Sequence, residues 1–435
     1  MNAGVIEAQY SINFREKEAR ELGERLKHRQ SVNIIGVKRI GISNFLRFFL
    51  YHKDIIKTYI SDNRQHLFIP IDLNDLIELD IYPFWTLTLK RIADASEASQ
   101  LPQAAKDKIG SLFLNSIQSQ DLFLLIDSVR QALLLIVGEG FLPTLFFIRF
   151  DRIAEVFTPS FFDNLQGLRD AIHQELSYVF TSFRSLNSIF PAAKTSLSVF
   201  AQIIYMRPAV GKDMRIIYET YKHRYNFHLN SAIEHALFDM VNGNVQYLQL
   251  ALIILAEKKN GGVKTKEELF QTLVHDERIT LQSEELWESI TKDEKRALAK
   301  ILKNEIITPE EKEKNIYLWD TGFVMEQKNK DMLFSPLFKE YLDGREKEDN
   351  KIGPVIHLTR KEHMLFTLLE SHIGNICERE EIIEIVWPEY KELGVSDWAI
   401  DRLVARVRVK LKQQNSPYEI VTVRTRGYKL SAIKE

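Results

Sequence analysis

The sequence predicts an α/β domain with a helical lid, followed by two smaller α+β domains of the winged-helix type. Three observations favour this fold class. Apolar runs that match buried strands alternate with helical segments in the first half of the chain. Two later segments each combine helices with a short strand pair, and the last one concentrates positive charge on one helix and one hairpin. A chain of 435 residues has room for roughly two to four such domains.

The first half of the chain predicts a mostly parallel sheet. We expect a helix over 16–28, a short strand over 32–35 and a strongly apolar helix over 44–51. Further strands are expected at 66–71, 144–151 and 176–182. Because helical segments separate these strands, parallel pairing with crossover helices is the natural arrangement.

A loop bounded by Gly36 and Gly41, and followed by Ser43, joins the first strand to the apolar helix. A strand, a glycine-bounded loop and a helix form a layout that cradles phosphate, because backbone N–H groups at the helix start point toward the anion. Asp151 ends the third expected strand and brings a carboxylate to the same edge of the sheet. The pattern therefore predicts a phosphate-binding site.

Short blocks in the same order resemble the STAND/AAA+ class of P-loop ATPases, over roughly residues 10–260. The blocks are segments 14–18, 36–43, 148–151, 181–184 and 242–248. The second block is similar to the Walker A loop of that class and the third to its Walker B motif. The resemblance implies a P-loop NTPase-like domain that binds ATP or ADP with Mg²⁺. It assigns the cofactor contacts to Gly36, Gly41, Ser43 and Asp151.

Two departures from that class bear on hydrolysis. Ile42 stands where the family has the lysine that reaches the β- and γ-phosphates, and Arg152 stands where it has the glutamate that positions water. We therefore expect a degenerate domain that hydrolyses ATP poorly or not at all. Lys38 or Arg39 is a candidate replacement cation, although loop cations usually face solvent. Nucleotide binding and a purely structural role for this domain both stay open.

Residues 206–258 predict helices that suit a lid, and residues 286–342 predict two helices, a short strand pair and a closing helix. The latter resembles the winged-helix module that often follows STAND or Orc-type ATPase domains. Its basic residues are interspersed with acidic ones, which favours packing or oligomer contact over DNA binding. The predicted domains are 1–205, 206–260, 261–345 and 354–435, with a polar linker at 346–353.

The last 80 or so residues contain the most specific pattern of the chain. A helix over 397–412 would carry one apolar stripe formed by Ile400, Leu403, Val404, Val407 and Leu411. Arg402 and Arg406 are expected on the opposite face, with Arg408, Lys410 and Lys412 on the flanks. A helix with such a basic face can enter the major groove, where arginine reads guanine edges and the flanking cations hold phosphates.

Positive charge is confined to this end of the chain. Residues 402–434 hold nine basic residues and one acidic residue, whereas the formal net charge of the whole chain is −2. A strand over 419–423, a turn over 425–427 and a return over 428–430 predict a hairpin. Its tip would present Arg424, Arg426 and Lys429 to a phosphate or a minor groove.

Residues 354–433 resemble the effector domain of OmpR/PhoB-type response regulators. The matching blocks are Leu358-Thr359 with Glu362, Arg379-Glu380 through Val386-Trp387, the arginine-rich helix, and a wing over 422–428. Thr425 departs from the usual glycine, which puts the turn geometry in doubt, and Ile382 replaces a leucine. The resemblance implies double-stranded DNA as partner, with contacts from Arg402, Arg406, Arg408, Arg424, Arg426 and Lys429.

Composition restricts the class of protein further. The single cysteine, Cys377, excludes a disulfide framework and favours a core position in a cytoplasmic protein. Residues 1–9 lack a signal pattern, and charged residues interrupt the apolar segment 122–150, so no membrane contact is expected. The favoured hypothesis is a sequence-specific DNA-binding transcriptional regulator, with a homo-oligomer or a signalling protein as further partners. The alternatives are an ATP-dependent switch or loader with DNA as effector, and a scaffold whose last domain binds protein.

Overall fold

The computed structural model describes residues 5–190, 201–225, 228–257, 263–327, 330–349, 358, 360–387, 397–413, 416–423 and 426–432. The chain divides into two compact units, Met1–Gly344 and Arg345–Glu435. The finer boundaries expected at residues 205 and 260 lie inside the first unit and stay predictions. In the described part of the chain, no helix combines the length and apolarity needed to span a membrane.

A five-stranded sheet organises the described residues of the first unit. Its strands are β1 (Ser31–Ile35), β2 (Gln65–Asp72), β3 (Phe141–Ile148), β4 (Ser177–Ser182) and β5 (Ala201–Tyr205). Their order is β2-β3-β4-β1-β5, and every pair is parallel, which confirms the predicted α/β class. The sequence did not predict β5, which pairs with β1 along its full length.

The expected end of the third strand is wrong. β3 stops at Ile148, because Arg149 adopts a left-handed backbone conformation with φ of 62° that breaks the strand. Asp151 therefore lies beyond the strand, in a short 3₁₀ helix, Phe150–Ile153.

Helices cover both faces of this sheet. In order they are α1 (Glu16–Lys27), α2 (Ile42–Tyr51), α3 (Ile81–Glu97), α4 (Gln103–Ser119), α5 (Leu122–Gly138), α6 (Pro159–Ala171) and α7 (Leu186–Ile189). One core contains the phenylalanines of α2, and a second packs Phe84 and Trp85 of α3 against Phe147 of β3. Burial of such side chains contributes about 1.5–3 kcal/mol each, so the sheet is a rigid base for the loops at its edge.

The rest of the first unit is mainly helical. Its elements are α8 (Gly211–Tyr225), α9 (Ser231–Val241), α10 (Val245–Glu257), α11 (Lys266–Val274), α12 (Glu277–Glu288), α13 (Lys292–Leu302), α14 (Pro309–Lys314), α15 (Tyr317–Asp320), β6 (Val324–Gln327), β7 (Lys330–Leu333) and the first nine residues of α16 (Pro336–Asp349), whose last five residues belong to the second unit. β6 and β7 form the expected antiparallel pair. These helices share the core of α2, so lid and middle segment pack on the sheet as one body. The charged segment expected as a linker is helical as far as Asp349.

The second unit is a winged helix, as predicted. Its described elements are α17 (Arg360–Ser371), β8 (Ile376–Glu378), α18 (Arg379–Val386), α19 (Asp397–Gln413), β9 (Tyr418–Val423) and β10 (Gly427–Ala432), and the strand order is β8-β10-β9. All residues of the predicted apolar stripe of α19 are at most 2% exposed. Cys377 is buried, as expected, and burial raises the pKa of its thiol to about 11.

Candidate functional sites

The loop between β1 and α2 has the backbone of a phosphate cradle. Gly41 has a φ of +109°, and a Cβ there would come within 2.9 Å of Val245 at the start of α10. A Cβ on Gly36 would come equally close to Ile40. A larger residue at either position would therefore clash with its neighbour. At Gly41 the positive φ also favours glycine.

A cavity of about 420 Å³ opens beside this loop. Its walls include the loop residues 37–43, the carboxyl ends of β3 and β4, and the start of α10. The cavity brings together Gly41, Ser43 and Asp151, three of the four residues predicted to bind a cofactor. Gly36, the fourth, is not among the residues that line the cavity. The volume is within the range of small-ligand sites.

Asp151 is a half-buried carboxylate that lines this cavity. Among the described residues its Oδ1 atom has no hydrogen-bond partner. Burial raises the pKa of Asp151, while the backbone N–H groups of Asp151 and Phe183 and the nearby Lys38 and Arg149 oppose that rise. Such a group gains from a ligand that supplies a donor or a cation.

The arginines on either side of Asp151 are engaged elsewhere. Arg149 donates from Nε to Asp72 Oδ1 at 3.0 Å and forms an ion pair with the same carboxylate. Arg152 is exposed and donates to Asn74 Oδ1 at 2.8 Å. Arg152 stands where the resembling ATPases have a water-positioning glutamate. It is a cation bonded to Asn74, and it is not among the residues that line the cavity.

The cavity wall is rich in cations. Lys38, Arg39, Arg47 and Arg149 line it, against the acids Asp151 and Glu285. Arg39 pairs with Glu285 of α12 at 3.4 Å, and Arg47 pairs with Glu7 at 2.6 Å. The sequence did not single out either of these glutamates, since nothing in the pattern of a distant helix shows that it meets the loop.

Arg184 connects the end of β4 to the middle segment. Its guanidinium pairs with both carboxylate oxygens of Glu294, at 2.6 and 2.7 Å, and lies 3.7 Å from the ring centroid of Tyr317. Glu294 is nearly buried and also caps the start of α13 together with Thr291. The sequence grouped Arg184 with segment 181–184, one of the blocks that resemble the STAND/AAA+ class, and the structure shows that it binds the first turn of α13.

In the second unit, the expected outward placement of Arg406 is wrong. Its side chain is 12% exposed and lies 3.5 Å from Glu362 of α17, which is fully buried. Lys410 lies on the same flank of α19, with its ammonium 2.6 Å from Glu362. Residues four apart share a helix flank, and this flank packs toward α17.

The other predicted cations differ in exposure. Arg408 donates to the Ile420 carbonyl at 2.8 Å and to Thr422 Oγ1 at 2.7 Å, and so joins α19 to β9. Lys412 is exposed and Lys429 is half-exposed. Arg426 is 61% exposed and pairs with Glu378 at 3.4 Å. The side chain of Arg402, and all of Arg424 and Thr425, lie outside the described residues.

A further cluster fixes the start of α19. Arg379 lies 2.7 Å from Asp401 and donates to the Tyr428 hydroxyl at 3.1 Å, while that hydroxyl donates to Asp401. Burial and the neighbouring carboxylate raise the pKa of Tyr428 to about 12. The cluster joins α18, α19 and β10, so it orients the helix relative to the hairpin.

Comparison with known proteins supports a separate assignment for each unit. The family model described as "Transcriptional regulatory protein, C terminal" matches residues 353–430. No curated protein matches the chain.

Solved structures resemble mainly the first unit. The Walker-type ATPase PABY2304 of Pyrococcus abyssi is 14% identical, with a TM-score of 0.51, over 76% of this chain and 96% of its own. The ORC2 protein of Aeropyrum pernix is 12% identical, with a TM-score of 0.41, over 80% and 99%. The ORC1 protein of Aeropyrum pernix in complex with DNA is 12% identical, with a TM-score of 0.36, over 98% and 91%. The chain thus combines a Walker-type ATPase fold with an OmpR/PhoB-type DNA-binding domain of transcriptional regulators.

Proposed function

We propose that this protein is a sequence-specific transcriptional regulator whose ATPase-like unit binds a nucleotide as a signal and does not hydrolyse it. The proposal rests on the second unit. The matched family model for regulator C-terminal domains covers a segment that contains a helix with a buried apolar stripe and a basic hairpin. A fold shared with Walker-type ATPases supports the nucleotide part.

The DNA contacts divide into two groups. Arg402 lies opposite the buried stripe by helical spacing, so we assign base reading to it. Phosphate contacts are assigned to Arg408, Lys412, Arg424, Arg426 and Lys429. Arg406 and Lys410 act as positioning residues, because buried Glu362 holds both on the α17 side of the helix.

The side chains around the cradle support the proposed loss of hydrolysis. Ile42 is a partly buried side chain packed against the core, so it supplies no charge to a phosphate. Arg149 and Arg152 are cations, each bonded to a partner. Asp151 lines the cavity, and the residue directly after it is Arg152, where a glutamate would position a water molecule.

An ATP-dependent switch is the second candidate, and one observation favours it. Ser43 and Asp151, the residue types that hold a magnesium ion in P-loop ATPases, line the same cavity. Steady ATP turnover by the full-length protein that disappears in Asp151→Ala would favour this candidate and contradict the non-hydrolysing proposal.

The test of the main proposal is selection of duplexes from a random-sequence DNA library by the full-length protein. We expect the natural sequence to select a defined motif and Arg402→Ala to lose it. A base-reading contact contributes about 1–3 kcal/mol to the discrimination between the right and the wrong base. The matched control is Arg296→Ala, which removes a 76% exposed arginine from the first unit and should leave selection unchanged. Absence of any enriched motif would contradict sequence-specific binding.

The same selection with and without ATP tests the signalling part. A change in affinity for the enriched motif would support a nucleotide signal. An unchanged affinity, at ATP concentrations shown to saturate the protein, would contradict it.

A further inference from the structure

Lys38 differs from the other cations that line the cavity. Arg39, Arg47 and Arg149 each pair with a carboxylate, respectively Glu285, Glu7 and Asp72. Within the described residues, no hydrogen bond or ion pair joins Lys38 to a carboxylate. Its ammonium instead lies 5.4 Å from the ring centroid of Phe183, and its side chain is half-buried. A half-buried ammonium on an aromatic face keeps its donors available to a ligand.

The position of Lys38 places its charge beside Asp151. Phe183 directly follows β4, and the nearby Lys38 charge lowers the pKa of Asp151 against the rise that burial causes. The ammonium that lies over Phe183 therefore shares one corner of the cavity with that carboxylate. Ser43, at the start of α2, lines the same cavity.

Ser43 and Asp151 are residue types that bind magnesium in P-loop ATPases, but their surroundings in this corner oppose such an ion. Mg²⁺ demands near-octahedral oxygen ligands. The last residue of β3 is Ile148, an apolar side chain, and Asp151 follows only after the chain has bent at Arg149. A dication here would also be repelled by the Lys38 ammonium.

We infer that the cavity binds the polyphosphate of a nucleotide without magnesium, and that the Lys38 ammonium supplies the charge that the metal supplies in other ATPases of this fold. The inference rests on the proposed nucleotide site and adds that nucleotide binding there does not require a metal ion. Backbone N–H groups of residues 38–43 would hold the phosphates, and Lys38 would neutralise them from the Asp151 side.

The experiment is a titration of full-length protein with a fluorescent ADP analogue, once in excess EDTA and once in excess magnesium chloride. We expect the same Kd in both buffers for the natural sequence. Lys38→Ala should weaken binding in EDTA by roughly 10- to 100-fold, the loss of one charge-assisted hydrogen bond. Lys38→Gln, which keeps most of the side-chain length, should weaken it similarly. Lys57→Ala, at an exposed lysine outside the cavity wall, is the matched control.

The outcomes separate this inference from the function on which it rests. Binding by the natural sequence only when magnesium is present would overturn the inference and leave nucleotide binding intact. No binding in either buffer would overturn the proposed nucleotide site as well. Unchanged binding by folded Lys38→Ala would overturn the role of Lys38. If a variant fails to fold in thermal unfolding, the comparison of buffers on the natural sequence still decides metal dependence.

Discussion

The fully buried carboxylate of Glu362 lies 2.6 Å from the ammonium of Lys410, and the Arg406 guanidinium lies on its other oxygen at 3.5 Å. One carboxylate on α17 thus holds two cations of the helix proposed to enter DNA. The pattern of α19 alone predicts Arg402 and Arg406 on the same outer face, and it does not show that Arg406 has a partner on α17.

The first prediction follows from this ion pair. Glu362→Gln would leave two cations beside a neutral buried amide, and breaking a buried pair costs on the order of 3 kcal/mol. We expect that loss in the free energy of unfolding of the second unit, measured by urea denaturation of the full-length protein. Glu378→Gln is the matched control, since Glu378 and Arg426 are 57% and 61% exposed and such a pair contributes about 1 kcal/mol or less. Equal effects of the two substitutions would contradict a structural role for Glu362.

The second prediction concerns Arg184 and Glu294, which join the end of β4 to α13. Arg184→Lys keeps the charge but loses the two parallel hydrogen bonds and the contact with Tyr317. We expect Arg184→Lys and Arg184→Ala both to lower the free energy of unfolding of the first unit, by about 1–3 kcal/mol. Arg296→Ala, at an exposed pair with Asp293 on the same helix, should cost less than about 1 kcal/mol. If Arg184→Lys is as stable as the natural sequence, the positive charge alone accounts for the stabilising contact with Glu294, and the prediction is wrong.

The third prediction uses the raised pKa of Asp151, for which burial is the main cause. A carboxyl group whose pKa is higher in the folded state binds its proton more tightly there, so its ionisation destabilises the fold as pH rises. Asp151→Asn removes that charge. We expect the variant to unfold at a higher denaturant concentration at neutral pH, and the advantage to shrink as the pH falls toward the ordinary pKa of aspartate. An Asn variant that is less stable at neutral pH would show that the ionised carboxylate stabilises the folded protein.

The sequence predicted the elements whose own residues determine them. The apolar runs of β1, β2 and β4 and the stripe of α19 report burial directly, because spacing and hydrophobicity belong to the segment itself. The end of β3 was misplaced, because an apolar run does not show the left-handed turn at Arg149. β5 and β8 were missed, and for β8 the reason is that a strand of three residues carries little pattern.

The candidate site was predictable only in part, for a related reason. Gly41, Ser43 and Asp151 meet in one cavity, as their order along a parallel sheet indicates. The pairing of Arg39 with Glu285 and the availability of Lys38 depend on side chains brought together from distant parts of the chain. Long-range pairs of this kind leave no periodic signal in one sequence.

The last prediction concerns Arg426 at the hairpin. Its ion pair with Glu378 is exposed on both sides, so a DNA phosphate can replace the carboxylate at little cost. Each phosphate contact releases counterions, so Arg426→Ala should weaken binding to all sequences alike and reduce the slope of log K against log salt by about one. Fluorescence anisotropy with the selected duplex and a scrambled duplex, over a series of salt concentrations, measures both effects. An unchanged slope, or a loss of affinity confined to the selected duplex, would show that Arg426 does not contact a phosphate. The hairpin would then stabilise the fold of the second unit and not contribute to DNA binding.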